Sequence, residues 1–359
     1  MGDLTKNQHY VPQFLLKGFG TASSVEKTHI YDIPRRQIRL NQSVSNVFSQ
    51  NYFYDNDNLV ENYLSDNVEG PASAEIEKIK NDDLSSLNSN VDLITFFCCQ
   101  NSRTPEARED ALNFINAHFE QMVSKMSELN DWGIENPEKF RVLPSGKDGI
   151  RSFTGAIALN GIIDSFGMRD LRLHVLKNRT EQKFIISDHP VAKYNWLYRD
   201  LMTGQAASMA AKGVQLFLPL TPSLTLCAYD DSTYKYGNRR HDYSEITNNL
   251  DVEWLNQLQV RPAQSFVGFS DSSQSDYVCN LAIKYNGKRI YERKSKDLYH
   301  EEMDNGQIKS GHLVYTTQKK LSYKPSFMKV LKKSRVFSTV YTERNQELSR
   351  YLDEIRRQK

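Results

Sequence analysis

The sequence predicts a mixed α+β fold: a central helical region, then a mostly antiparallel sheet, then a charged C-terminal helix. Three observations point there. Apolar residues recur at helical spacing through much of 57–166. Short apolar or alternating runs bounded by turn residues dominate 171–229. No regular βαβ alternation joins the two regions, which argues against a doubly wound sheet.

The elements follow in order. Val11, Phe14, Leu15 and Phe19 fit a short apolar helix or turn over 10–19. Thr28 to Ile33 alternates, Pro34-Arg35-Arg36 turns, and Gln37 to Leu40 alternates again, which predicts a hairpin. The aromatic run Asn51 to Tyr54 predicts another short strand. Leu59, Val60, Tyr63, Leu64, Val68, Ile76 and Ile79 predict a helix over 57–80, broken near Gly70-Pro71. An apolar run covers 90–101. Thr104 can then cap a helix that has Pro105 in its first position and runs to about Met126. Residues 147–166 predict a buried helix. Strands are expected at Leu171–Leu176, Lys183–Ser187, Gly213–Leu220 and Leu224–Tyr229, the last two joined by the turn Thr221-Pro222-Ser223. A helix is expected over 246–266, and a strand or helix over Tyr277–Tyr285. Beyond Lys288 the chain is polar and ends in a charged helix, Glu343 to Arg357, with a thin seam of Leu348, Leu352 and Ile355. The division expected is an α+β domain over 1–285 and a polar, basic extension over 286–359.

Hydrophobic content of 39% and charged content of 25% in 359 residues suit a folded protein with a sizeable core. The net charge of +2 hides a gradient, because Lys319 to Lys359 carries 12 Lys/Arg against 4 Asp/Glu. Such a basic end either contacts nucleic acid or an acidic partner, or is a solvated face. Cys98, Cys99, Cys227 and Cys279 have neither disulfide-framework nor zinc spacing, so buried free thiols and a reducing compartment are expected. No apolar stretch approaches the roughly 18 residues that cross a bilayer. The first residues lack a signal-peptide core, and Lys6 breaks the myristoylation pattern, so a cytoplasmic location and no membrane partner are expected.

No P-loop, GxGxxG, GxSxG or HExxH motif is present. The candidates are subtler. His9 lies in Asn7-Gln8-His9-Tyr10-Val11-Pro12, where Pro12 stiffens the backbone; it is either a general acid or base, or a histidine tied to the turn. Asp188 ends a short apolar strand ahead of Pro190; it is either a projecting catalytic carboxylate or part of an Asx-type turn with Ser187. Arg103, near Gln100 at a predicted helix start, either binds a phosphate or carboxylate or is buried against a carboxylate such as Glu69. Glu61 and Glu69 are eight residues apart on one predicted helix, about 12 Å along its axis.

Several of these stretches resemble one family. Asn7 to Phe19 is similar to the opening signature of the bacterial and phage domain of unknown function numbered 4238, Asn-x-His-Tyr-Val-Pro followed by an apolar run ending in Phe. Glu61 to Glu69 resembles its acidic helix, Gln100-x-x-Arg103-Thr104-Pro105 its Arg-Thr-Pro segment, and Leu218-Pro219-Leu220-Thr221-Pro222 also fits. Ile186-Ser187-Asp188-His189-Pro190-Val191 resembles its Thr-Ser-Asp-Asn-Pro-Val turn, with His189 in place of Asn. The resemblance spans about residues 5 to 285. It implies that His9, Arg103 and Asp188 share a site, and that the chain is similar to single-gene anti-phage defence proteins.

Two function classes follow. One is a toxic effector nuclease acting on RNA or DNA, with His9, Glu69, Arg103 and Asp188 as catalytic groups and Gln8, Tyr10, Gln100 and Ser187 holding substrate. A metal-dependent version would place Mg²⁺ or Mn²⁺ on Glu69, Asp188 and His9. The other is a non-catalytic sensor that recognises a phage component and oligomerises through the C-terminal helix.

Overall fold

The computed structural model describes residues 5–130, 136, 139, 141–201, 207–238, 240–302 and 308–344. Helices fill most of 59–166 and strands much of the remainder, so the fold is α+β as the sequence predicts. Among the described strands, pairing is antiparallel except where Tyr243–Ile246 runs parallel to Arg172–Asn178.

A five-stranded sheet divides the interior. Its order is Tyr243–Ile246, Arg172–Asn178, Leu224–Tyr229, Gln215–Thr221 and Ala192–Tyr194. Side chains alternate between faces of a strand. Leu173, Val175, Leu216, Leu218, Leu226 and Ala228 therefore enter the core shared with the helices and the N-terminal segment. Leu176, Phe217, Cys227 and Tyr229 enter a second core built on Trp254. Burial on both faces explains why Gln215–Thr221 reads as a nearly continuous apolar run. A four-stranded sheet, ordered Gln37–Ser43, Lys27–Asp32, Phe266–Phe269 and Ile186–Ser187, contains the predicted hairpin.

The helical layer centres on Val91–Ser102 and Gly146–Phe166. Gly161 allows their approach: a Cβ there would lie 2.5 Å from Cys99 Cα and 2.7 Å from the Cys98 carbonyl oxygen. Cys98, Cys99 and Cys227 are buried free thiols. Thr104 caps Pro105–Asn130 as predicted, its Oγ1 accepting the Ala107 N–H at 3.2 Å.

Several elements differ from expectation. The helix over 59–80 does not break at Gly70-Pro71. It continues through a π turn, Ser65–Glu69, between Leu59–Leu64 and Gly70–Lys80. Pro71 lacks an N–H and its ring crowds the carbonyl four residues back, so a widened turn just ahead of it keeps the helix whole. The expected helix over 246–266 ends at Val260, and Phe266 starts a strand. Asn51–Tyr54 is mostly turn, with the strand at Ser49–Asn51. Ser275–Tyr285 is a helix.

The polar stretch after 285 is built into the body. It forms the hairpin Tyr291–Glu302 and Ile308–Gln318, and Met328–Val330 pairs with Tyr234–Tyr236. Its scattered Leu321, Phe327 and Met328 complete the second core, and buried Asp251 accepts from Ser326 N and Tyr323 Oη, each at 2.8 Å. Arg344, counted in the basic end, has a side chain only 3% exposed and paired with Asp170 at 2.7 Å. Of the predicted charged helix over Glu343–Arg357, residues 345–357 lie outside the described residues, and Glu343 makes an isolated bridge to Ala211.

Gly161→Ala should push the two helices apart and destabilise the fold by about 1–3 kcal/mol, the usual cost of overpacking. A thermal melt checks this; an unchanged midpoint would mean the helix pair yields freely at that contact.

Candidate active site

Arg103 links the helices Val91–Ser102 and Pro105–Asn130 and is only 1% exposed. Its guanidinium points inward. Nη1 donates to Glu69 Oε1 at 2.6 Å, Nη2 to the His9 carbonyl at 2.7 Å and Nε to Tyr54 Oη at 3.0 Å. The Tyr54 hydroxyl in turn donates to Arg103's own carbonyl at 3.2 Å. Of the two readings of Arg103, the structure has the buried pair with Glu69. The guanidinium fixes the His9 backbone instead of facing outward at a helix start.

The π turn sets the carboxylates. In an unbroken α-helix, eight residues rotate about 800°, which leaves Glu69 ~80° off the face of Glu61. The extra residue of a π turn absorbs about one residue's rotation, so the pair realigns two turns apart. Both carboxylates then act on Arg103. Glu61 was the weaker candidate by sequence, yet its environment is the more unusual. Burial pushes its carboxyl up to about 7, against the Arg103 charge and a backbone hydrogen bond from His9. Its Oε2 is buried without a hydrogen-bond partner.

His9 ends the strand Asn7–His9, which pairs with Ser49–Asn51. Its Nε2 sits 3.1 Å from the Val44 carbonyl, which fixes that nitrogen as the donor and leaves Nδ1 as an acceptor in the neutral ring. Burial lowers its pKa, and Arg103 adds to the effect, while the Val44 bond and Glu69 oppose it. A neutral imidazole and a carboxyl titrating near 7 therefore share the field of one buried guanidinium.

The remaining candidates brace this arrangement. Gln8 Oε1 accepts from Tyr54 N at 2.8 Å, and its Nε2 donates to Asp55 Oδ1 at 2.7 Å. Gln100 Nε2 donates to the Tyr10 carbonyl at 2.8 Å, and its Oε1 is buried without a partner. The Tyr10 hydroxyl lies in the field of Asp188 and bonds Ser265; burial raises its pKa strongly. Ser187 N donates to Gln259 Oε1 at 3.1 Å.

Asp188 is 1% exposed and closes a turn across the chain. Its carboxylate accepts backbone N–H groups of Gln264, Ser265 and Phe266. Burial pushes it up to about 7 against those donors. No hydrogen bond or ion pair joins Asp188 to His9, Glu69 or Arg103. Glu69 pairs with Arg103 and acts on the His9 ring, whereas Asp188 faces backbone donors. Among the described residues no group of three His, Cys, Asp or Glu side chains could hold a metal ion. This donor set does not fit Mg²⁺ or Mn²⁺. His189 Nδ1 is hydrogen-bonded to Thr104 Oγ1 at 2.7 Å, and burial pushes its pKa down to about 4.

The model of the family described as "Protein of unknown function (DUF4238)" matches residues 7–273, which hold every group of this cluster. The chain belongs to this family. No curated protein and no solved structure matches it. Among the described residues, no helix is long and apolar enough to cross a membrane.

A carboxyl whose pKa is higher folded than unfolded binds more protons in the folded state, so stability falls as pH rises between the two values. For Glu61 that window is from the usual 4.5 to about 7. Buried His9 and His189 act oppositely, so a difference measurement isolates the carboxyl. Glu61→Gln should match the wild type near pH 4.5 and exceed its stability by about 1–2 kcal/mol above pH 7. Denaturant titrations across pH check it; a constant difference would refute the raised pKa.

Proposed function

We propose that the protein is an anti-phage defence effector that cleaves RNA, with His9 and Glu61 as its acid–base pair and Arg103 and Glu69 fixing them. The observation that carries this is a neutral, tautomer-fixed imidazole in the same buried electrostatic field as a carboxyl that is still half protonated near neutral pH. Acid–base catalysis works best with pKa values close to the working pH. RNA suits such a pair because it carries its own nucleophile. His9 Nδ1 would take the 2′-hydroxyl proton as the 2′-oxygen attacks phosphorus. Glu61 would give its proton to the departing 5′-oxygen. The products are a 2′,3′-cyclic phosphate and a 5′-hydroxyl. Arg103 supplies fixed positive charge from below the site, and the basic stretch from Lys319 would draw the polyanion in.

Relative to the sequence-based site, Glu61 replaces Glu69 and Asp188 as the titrating carboxyl, and His9 serves as base. A second reading, a non-catalytic sensor of a phage component, is favoured by the internal use of donors on Arg103 and of acceptor positions on Asp188.

Purified protein incubated with total RNA and plasmid DNA, with and without EDTA, separates the readings. Expected is metal-independent RNA cleavage leaving cyclic ends, lowered about 100-fold or more by His9→Ala and by Glu61→Gln while folding persists. The base must be unprotonated and the acid protonated, so the rate should peak between the lowered His9 pKa and about 7, on the acidic side of neutrality. RNA intact under every condition would overturn the nuclease and favour the sensor; DNA cleavage alone would overturn the role of the 2′-hydroxyl.

A further inference from the structure

A cavity of about 470 Å³ opens beside the motif cluster, which is within the range of small-molecule sites. Helix Pro105–Asn130, strand Ala192–Tyr194, the end of helix Asn249–Val260 and strand Tyr291–Glu302 surround it. None of His9, Glu61, Glu69, Arg103 or Asp188 lines it. Part of its wall is apolar: Phe114, Leu258 and Ile290.

Its charges are uneven. Four cationic side chains face two carboxylates. Arg289 is paired with Glu106 at 2.9 Å, and Arg293 with Asp110 at 2.9 Å. Lys193 and Arg261 have no carboxylate within ion-pair reach among the described residues. Lys193 Nζ donates to the Ala207 carbonyl at 2.8 Å and lies 4.7 Å from the Tyr291 ring centroid. Arg261 donates from Nη1 to the Lys288 carbonyl at 2.8 Å and from Nη2 to Gln257 Oε1 at 3.0 Å. Its Nε is buried with no partner. A desolvated cation outside an ion pair is costly, and burial lowers the pKa of both groups, with Asp110 and Asp164 opposing it at Lys193. His189, also on the wall, is neutral and engaged by Thr104, so it adds no charge.

We propose that this cavity binds a small organic phosphate, with a dianionic head on Lys193 and Arg261 and an apolar body against Phe114, Leu258 and Ile290. Two cations outside any ion pair, with Asp110 and Asp164 acting on Lys193 only at longer range, match a dianion in charge, and the apolar wall demands more than a bare ion. The site is independent of the acid–base pair, so it stands or falls apart from the nuclease reading.

Isothermal titration of the full chain with phenyl phosphate, benzoate, inorganic phosphate and benzyl alcohol tests it. Phenyl phosphate should bind saturably and more tightly than the other three. Lys193→Met should weaken it by about tenfold or more, the loss expected for a charge-assisted contact. Lys193→Arg should retain most of the affinity, and Arg261→Gln should weaken binding on a chain whose Lys193 is intact. Absence of saturable phenyl phosphate binding at millimolar concentration would overturn the proposal. So would equal affinity in Lys193→Met and wild type. Tighter binding of benzoate would overturn the dianion assignment.

Discussion

The guanidinium of Arg103 is the constraint on which the N-terminal half of the structure depends. It is buried, and its hydrogen-bond partners come from three separate stretches of chain: the His9 carbonyl, the Tyr54 hydroxyl and the Glu69 carboxylate. A buried ion pair is weak evidence of net stability, since desolvation offsets much of its attraction. Its stronger effect is geometric. A planar fork with fixed donor directions admits one arrangement of its acceptors. Here that arrangement holds the opening strand against the helical layer. Removing Glu69 would leave a buried charge unpaired, which is why the π turn that delivers Glu69 matters to the whole layer.

Much of the fold was legible because its signals are local. The hairpin Lys27–Asp32 and Gln37–Ser43, the Thr104 cap and the paired strands around Thr221-Pro222 follow from alternation, capping and turn chemistry. What escaped is non-local. Pro71 is a visible helix breaker, but whether it ends a helix or forces a π turn depends on what that turn must reach, here Arg103. The stretch after 285 looked like a solvated extension because its apolar residues are sparse. Leu321, Phe327 and Met328 are nonetheless buried in the core that holds Trp254, with the Phe327 ring against those of Phe217, Tyr236 and Trp254.

The candidate site divides along the same line. Residue type and order marked His9, Arg103 and Asp188. Their roles depended on partners that only folding supplies. Arg103 and Asp188 are satisfied by groups inside the chain, so each acts as a clasp. Glu61 stood out less in sequence, because a glutamate on a helix is usually solvated. Its raised pKa comes from burial beside a second carboxylate, and that juxtaposition requires the π turn. The unusual group is thus the one whose environment departs most from its local sequence expectation.

One dipeptide connects the motif cluster to the cavity. Arg103 reaches inward to His9 and Glu69, while Thr104 is hydrogen-bonded to His189 on the cavity wall and caps the helix that supplies Glu106, Asp110 and Phe114 to that wall. Across the chain, Asp188 fastens the turn that presents His189, and Gln264, one of its backbone partners, also bonds Glu106 at 2.7 Å. The stretches around His9, Arg103 and Asp188 therefore share one hydrogen-bonded frame, with His9 and Glu61 on one side and the cationic cavity on the other. A change at Arg103 or Asp188 should disturb both sides at once. A change at Lys193 or Glu61 should disturb one. That difference distinguishes residues that build the frame from residues that use it.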